Sequence, residues 1–191
     1  MKSTSFRFTA LLLALFLLAS GLSCAKDGAD KTPVRNAAIP APTHANLAYG
    51  PFERNVLDLW LPEHADAPVP LVIFIHGGGF IDGGKENLSP EVYAACREHG
   101  VAVAAINYRF ITTDPFPAPL RDSARAVQYL KSRAAEFKLD PKRFAVYGGS
   151  AGAGTSMWIA FHDDLANPAS ADPVERESSR VACAGSIAGQ S

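Results

Sequence analysis

A serine attacks an acyl carbon only when its hydroxyl is held clear of the backbone, beside donors that can receive a developing oxyanion. The stretch RFAVYGGSAGAGT, residues 143–155, has residue types in an order that could do this. Arg143 to Tyr147 is a short apolar run with β-branched and aromatic members, as in a buried strand. It ends abruptly in Gly148-Gly149-Ser150-Ala151-Gly152, and helix-compatible residues follow through Met157, Trp158, Ile159 and Phe161. Strand, Gly-X-Ser-X-Gly and helix in that order raise a serine at the end of a sheet in a strained turn. Gly148 and Gly152 remove Cβ atoms where strand and helix close on each other, and the helix N-terminus adds positive potential. A glycine-rich turn whose serine merely caps the helix would read the same, and about one chain of this length in twenty carries the pentapeptide by chance.

A second motif shifts that balance. His76-Gly77-Gly78-Gly79-Phe80 directly follows the apolar run Leu71–Ile75. Its glycines leave backbone N–H groups open to a ligand at the carboxyl end of a sheet, although a flexible loop is the bland alternative. Histidine followed by three glycines arises by chance in on the order of one chain per thousand. It also precedes Ser150 in the order that ester hydrolysis on such a sheet requires.

The elements that must position these motifs are legible around them. Val56 to Trp60 alternates, as in an outer strand, and Leu71–Ile75 is continuously apolar, as in a strand buried on both faces. Ser89-Pro90-Glu91 starts a helix that runs to His99 and stops at Gly100. Val101 to Tyr108 is another buried strand. Leu120, Ala124, Val127, Leu130 and Ala134 predict a helix over about Pro119 to Phe137, and Arg180 to Ala188 one more strand. The alternation gives an α/β fold, doubly wound on a mostly parallel sheet. The 191 residues, with 48% hydrophobic, 19% charged and a net charge of −1, suffice for one domain and give no basic surface for nucleic acid.

Residues 1–23 lie outside that fold. Lys2 and Arg7 precede an apolar stretch over 8–19, and small residues lead to Cys24. The arrangement resembles a bacterial lipoprotein signal with Cys24 lipidated, apart from Gly21 where such signals usually have Leu. Plain secretion with cleavage nearby remains open, and export follows either way. Residues 24–44 read as a flexible tether and 45–191 as the domain. Cys96 and Cys183, on a predicted helix and a predicted strand, read as small core residues, with a disulfide as the alternative.

On HGGGF at 76–80, Asn107-Tyr108-Arg109 and GGSAGAG at 148–154, the chain from about Asn46 onward resembles the N-terminal part of an α/β-hydrolase of the hormone-sensitive-lipase and carboxylesterase type. The resemblance implies that Ser150 is the nucleophile and that the amides of Gly78, Gly79 and Ala151 form the oxyanion hole. It gives His76, Gly77, Gly148 and Gly152 supporting roles, and makes Arg109 an anchor of loops by ion pairing. It implies a small-molecule ester substrate, no cofactor, no metal, and no membrane contact beyond the possible lipid anchor.

Two departures stand out. Gly149 occupies a position where many relatives carry Asp or Glu. More seriously, the family places its acid and then its histidine after the serine, and only His76 is near here, where the resemblance gives it a loop-organising role instead. His162 lies along the helix that Ser150 opens, about 18 Å away at 1.5 Å per residue. His99 ends a helix expected to feed the opposite edge of the sheet, His64 lies in an early turn and His44 in the tether. Asp163, Asp164 and Asp172 could supply acids, but an acid without a base completes nothing. The chain thus reads as a fragment of an exported serine esterase acting through an acyl-enzyme on Ser150, its last strand left as an unpaired edge. The competing reading is a non-catalytic, surface-tethered α/β-hydrolase-like domain that binds a ligand or protein partner.

Overall fold

A computed structural model describes residues 38–64 and 66–188. Six strands form one mixed sheet: β1 (His44–Ala48), β2 (Val56–Trp60), β3 (Val69–Ile75), β4 (Ala102–Ile106), β5 (Leu139–Gly149) and β6 (Cys183–Ile187), in the spatial order β1-β2-β4-β3-β5-β6. The pairs β1–β2 and β2–β4 are antiparallel, and β4, β3, β5 and β6 run parallel. Helix α1 (Pro90–Glu98) links β3 to β4, α2 (Ala118–Ser132) links β4 to β5, and α3 (Ala151–Phe161) follows β5. The chain leaves β3 in one direction and returns past it to β5, so the strand order reverses around β3. That reversal opens a crevice beyond the carboxyl ends of β3 and β5, where Ile75 pairs with Gly148. Both glycine motifs begin there.

Side chains alternate across each strand, which divides the core in two. Leu57, Leu59, Ile73, Ile75, Ile106, Phe144 and Val146 pack with Val127 and Leu130 of α2 and Ile159 of α3. Val72, Phe74, Val103, Ala105 and Tyr147 pack on the other face with Tyr93 and Cys96 of α1. Ser89 caps α1, its hydroxyl accepting from the Val92 amide at 3.3 Å, and His99 is the C-cap before Gly100 (φ 66°). Cys96 and Cys183 are free thiols, and burial pushes the Cys96 thiol up to about 12.

Three expectations are corrected. The helix that His99 ends feeds β4, which lies inside the sheet between β2 and β3 and at neither edge. Helix α2 stops at Ser132, short of Phe137. The chain then turns with Leu139 N donating to Ala134 O at 2.8 Å and Lys138 in the left-handed region at φ 52°, without the glycine that would have announced it. Ala134 and Phe137 stay buried in that turn, which is why they continued the helical spacing. His44, assigned to the tether, opens β1 and packs 5.0 Å from the Phe137 ring. Just before it, Pro40 O accepts from Trp60 Nε1 at 2.8 Å. The leader over 1–23 and Cys24 lie outside the described residues.

Candidate active site

Ser150 stands where β5 turns into α3, with φ 51° and ψ −117°. That conformation costs a residue with a side chain of order 1–3 kcal/mol and persists only where its surroundings over-determine it. Here Ser150 N donates to Ile187 O and Gly154 N to Ser150 O, both at 3.1 Å. Ser150 occupies the N-cap position of α3, yet its side chain makes no capping bond and the residue is exposed. The helix-capping alternative therefore does not describe it.

The flanking glycines are explained by one neighbour. A Cβ on Gly148 would lie 2.3 Å from the Ile75 carbonyl oxygen, and one on Gly152 would lie 2.0 Å from that same atom. A Cβ on Gly77 would come within 2.8 Å of Gly149 O, so the loop after β3 presses directly against the turn that carries Ser150. Gly149 differs, since its Cβ would meet only Ile187 O at 3.7 Å. The space there fits the larger residues expected at this position in relatives.

Gly78, Gly79 and Phe80 take positive φ in succession, 106°, 59° and 63°. The amides of Ile81 and Asp82 both donate to Gly78 O at 3.0 Å, closing the loop on itself. Among the described residues, the amides of Gly78, Gly79 and Ala151 donate to no backbone carbonyl. A cleft of about 650 Å³ opens beside Ser150 and Gly78, lined also by Gly77 and Gly149 and by apolar Phe74, Val92, Tyr147 and Ile187. The buried Tyr147 hydroxyl has no hydrogen-bond partner among the described residues, and burial pushes its pKa up.

All five histidines lie among the described residues, and none is placed to take the Ser150 proton. His162 is the C-cap at the far end of α3, with its ring 4.1 Å from Trp158. His76 is close but fully engaged: Nδ1 donates to Gly77 O at 2.6 Å, Nε2 faces Arg54 Nη2 at 3.5 Å, and the ring stacks on Tyr108 at 4.1 Å. Two of the three candidate acids, Asp164 and Asp172, serve structure. Asp164 accepts from Ser178 and Ser179, and Asp172 pairs with Arg125 at 2.6 Å. Arg109 is the anchor it was expected to be, gripping Asp122 through Nε and Nη2 and Asp114 through Nη1.

Burial first, with the Arg54 charge adding to it, lowers the His76 pKa from its ordinary 6.5 against the opposing effect of the Gly77 bond. The folded state therefore binds fewer protons than the unfolded one at mildly acidic pH. His76 is expected to cost stability as pH falls below about 6.5, the loss levelling off below its depressed folded value. Urea midpoints from pH 8 to pH 5 measure this, and a His76→Gln variant with an unchanged acid slope would contradict it.

Sequence reasoning did not single out Arg54 or Tyr147. Arg54 follows a Gly-Pro-Phe-Glu turn far in sequence from the loop it reaches, and Tyr147 read as one more core aromatic. Neither carries a local signal; only the sheet order brings them to the site.

A family model named BD-FAE matches residues 57–184, which include both glycine motifs. Carboxylesterase NlhH of Mycobacterium tuberculosis is 36% identical over 101 residues, covering 53% of this chain and 31% of that protein. The solved acetyl ester-xyloside bifunctional hydrolase from Caldicellulosiruptor lactoaceticus aligns with a TM-score of 0.64 at 26% identity, over 76% of this chain and 57% of that one. Thermogutta terrifontis esterase 2 has the same fold, with a TM-score of 0.65 at 23% identity over 78% and 58% of the two chains. The chain thus spans 31% of that curated relative's length and little more than half of the solved ones. With its sheet order, strained serine turn and glycine loop, the chain belongs to the BD-FAE family and is a carboxylesterase-like α/β-hydrolase.

Proposed function

We propose that the whole protein to which these residues belong is an exported serine esterase that cleaves small carboxylic esters through an acyl-enzyme on Ser150. The observation that carries this reading is Ser150 itself, exposed, strained and free of any capping bond, while the amides of Gly78, Gly79 and Ala151 donate to no backbone carbonyl among the described residues. Ser150 Oγ adds to the ester carbonyl while its proton leaves to a base. The carbonyl oxygen takes the negative charge and receives the amides of Gly78, Gly79 and Ala151, each such donor being worth 10² to 10³ in rate. Collapse expels the alcohol, and water then releases the acid from Ser150 by the same route in reverse. The general base comes from outside residues 38–188, since each histidine here is bonded elsewhere or remote. The leader over 1–23, with Lys2 and Arg7 before the apolar run, supports export, with lipidation at Cys24 or simple cleavage nearby.

The lack of an imidazole at Ser150 among the described residues favours a second reading, in which residues 38–188 bind a ligand in the 650 Å³ cleft without turning it over. A fluorophosphonate probe separates the two. The esterase reading expects stoichiometric mass gain on the Ser150 peptide of the whole protein, lost in Ser150→Ala. Ester hydrolysis with no label on that peptide would sink it.

A further inference from the structure

The loop that presents Gly78 and Gly79 is gripped from an unexpected direction. The turn between β1 and β2 sends the half-buried Arg54 across the top of β4 to it. Arg54 Nε donates to Tyr108 O at 2.7 Å, and Nη2 donates to Gly83 O at 3.1 Å. The same Nη2 lies 3.5 Å from His76 Nε2, and the guanidinium sits 3.7 Å above the centre of the Phe110 ring. One side chain therefore touches the residue before the glycines, the residue that closes their loop, and the strand end that supports both.

The chemistry of His76 makes that contact directional. Nδ1 faces a carbonyl oxygen, so it must carry the proton, and Nε2 is left with its lone pair toward a guanidinium donor. Protonated Nε2 would set two cations against each other. Asp82 and Glu86 also act on the ring electrostatically, Tyr108 is stacked on it, and the Tyr108 hydroxyl donates to His76 O at 2.9 Å. The opposite tautomer would lose the 2.6 Å bond to Gly77 O, the carbonyl immediately before the Gly78 amide. Gly83 must be glycine for this packing, because a Cβ there would lie 2.8 Å from His76 Nδ1.

We propose that Arg54 is a positioning residue for the oxyanion donors: by bonding His76 Nε2 and Gly83 O together, it fixes the imidazole as the Nδ1–H tautomer and holds the Gly77–Gly83 loop in one conformation. This rests on the reading of Gly78 and Gly79 as oxyanion donors. Arg54 itself touches no reacting atom.

The test is imidazole and amide NMR on the whole protein, which needs no turnover. The wild-type chain should show His76 protonated on Nδ1 and bare on Nε2 at pH 7.5, with one resonance each for the Gly78 and Gly79 amides. Arg54→Gln should split or broaden those two amides and let His76 titrate at higher pH, while Arg54→Lys should restore much of the wild-type amide pattern. A merely structural arginine would lower the melting temperature and leave the tautomer and loop amides unchanged. Phenylboronic acid, which adds to a serine Oγ as a tetrahedral anion and releases a proton to buffer, should bind Arg54→Gln roughly tenfold or more weakly. Boronate that binds neither protein would count against Ser150 as the nucleophile, leaving the spectra to judge the arginine. A wild-type Nε2–H tautomer, a measurement that needs no variant, overturns the proposal. So do unshifted Gly78 and Gly79 amides in a folded Arg54→Gln.

Discussion

Ser150→Ala in the whole protein is expected to lower kcat for a p-nitrophenyl ester by about 10⁶-fold with little change in KM. The magnitude follows from what the substitution spares. The glycine loop, the α3 N-terminus and the cleft lined by Phe74 and Tyr147 do not depend on the hydroxyl, so on the proposed reading ester should still bind and its oxygen should still meet the amides of Gly78, Gly79 and Ala151. What is lost is the covalent step, leaving a residual 10³ to 10⁴ over water from oxyanion stabilisation alone. Folding should be unaffected, because the Ser150 hydroxyl makes no bond in the turn and alanine inherits the same φ of 51°. A variant retaining more than about a hundredth of wild-type turnover, with an unchanged melting temperature, would remove Ser150 from the mechanism.

The largest expected effect on stability comes from Gly152→Ala. The new methyl would lie 2.0 Å from Ile75 O and 2.7 Å from His76 O, and both are backbone atoms that move only with β3. Overpacking a well-filled site costs about 1–3 kcal/mol even where side chains can yield, so the upper end or beyond is expected here. In a chain of this size that is a fall of roughly 6–12 °C in melting temperature. Gly149→Ala is the internal control: three positions earlier, its methyl would sit 3.7 Å from Ile187 O in ordinary contact, and a change within about 1 kcal/mol is expected. Thermal scans of the two variants side by side decide the matter. Equal melting temperatures would mean that the crossing of β3 and α3 is looser than these distances imply.

The parts of this architecture set by local patterns were legible from the sequence. The apolar runs of β3 and β4, the Ser89 cap of α1 and the glycine punctuation around Ser150 each report their own neighbourhood. What escaped is what depends on partners distant in the chain. The first strand was not foreseen, and His44 was left in the tether, because His44 is held by Phe137 and the residues before it by Trp60 and Leu61, contacts with no periodicity of their own. The end of α2 was overrun because Lys138 takes a conformation usually marked by glycine. At the site, Ser150 and the glycines could be singled out because their residue types and spacing are distinctive, while their proposed roles came from the family resemblance. Arg54 could not, since an arginine in a polar turn looks like any solvated one until the sheet order sets it over Phe110.

One atom, the carbonyl oxygen of Ile75, confines both Gly148 and Gly152. The two positions therefore share a single steric constraint, and their substitutions are not independent. If the end of β3 retreated to admit a methyl at either one, most of the obstacle at the other would vanish with it. Such a retreat would also draw His76 and the following glycines away from Ser150, since Gly77 is packed against Gly149 O. Sequence drift at this crossing would thus be paired and all-or-none, so the tightness of one contact ties the evolvability of the serine turn to that of the loop opposite it.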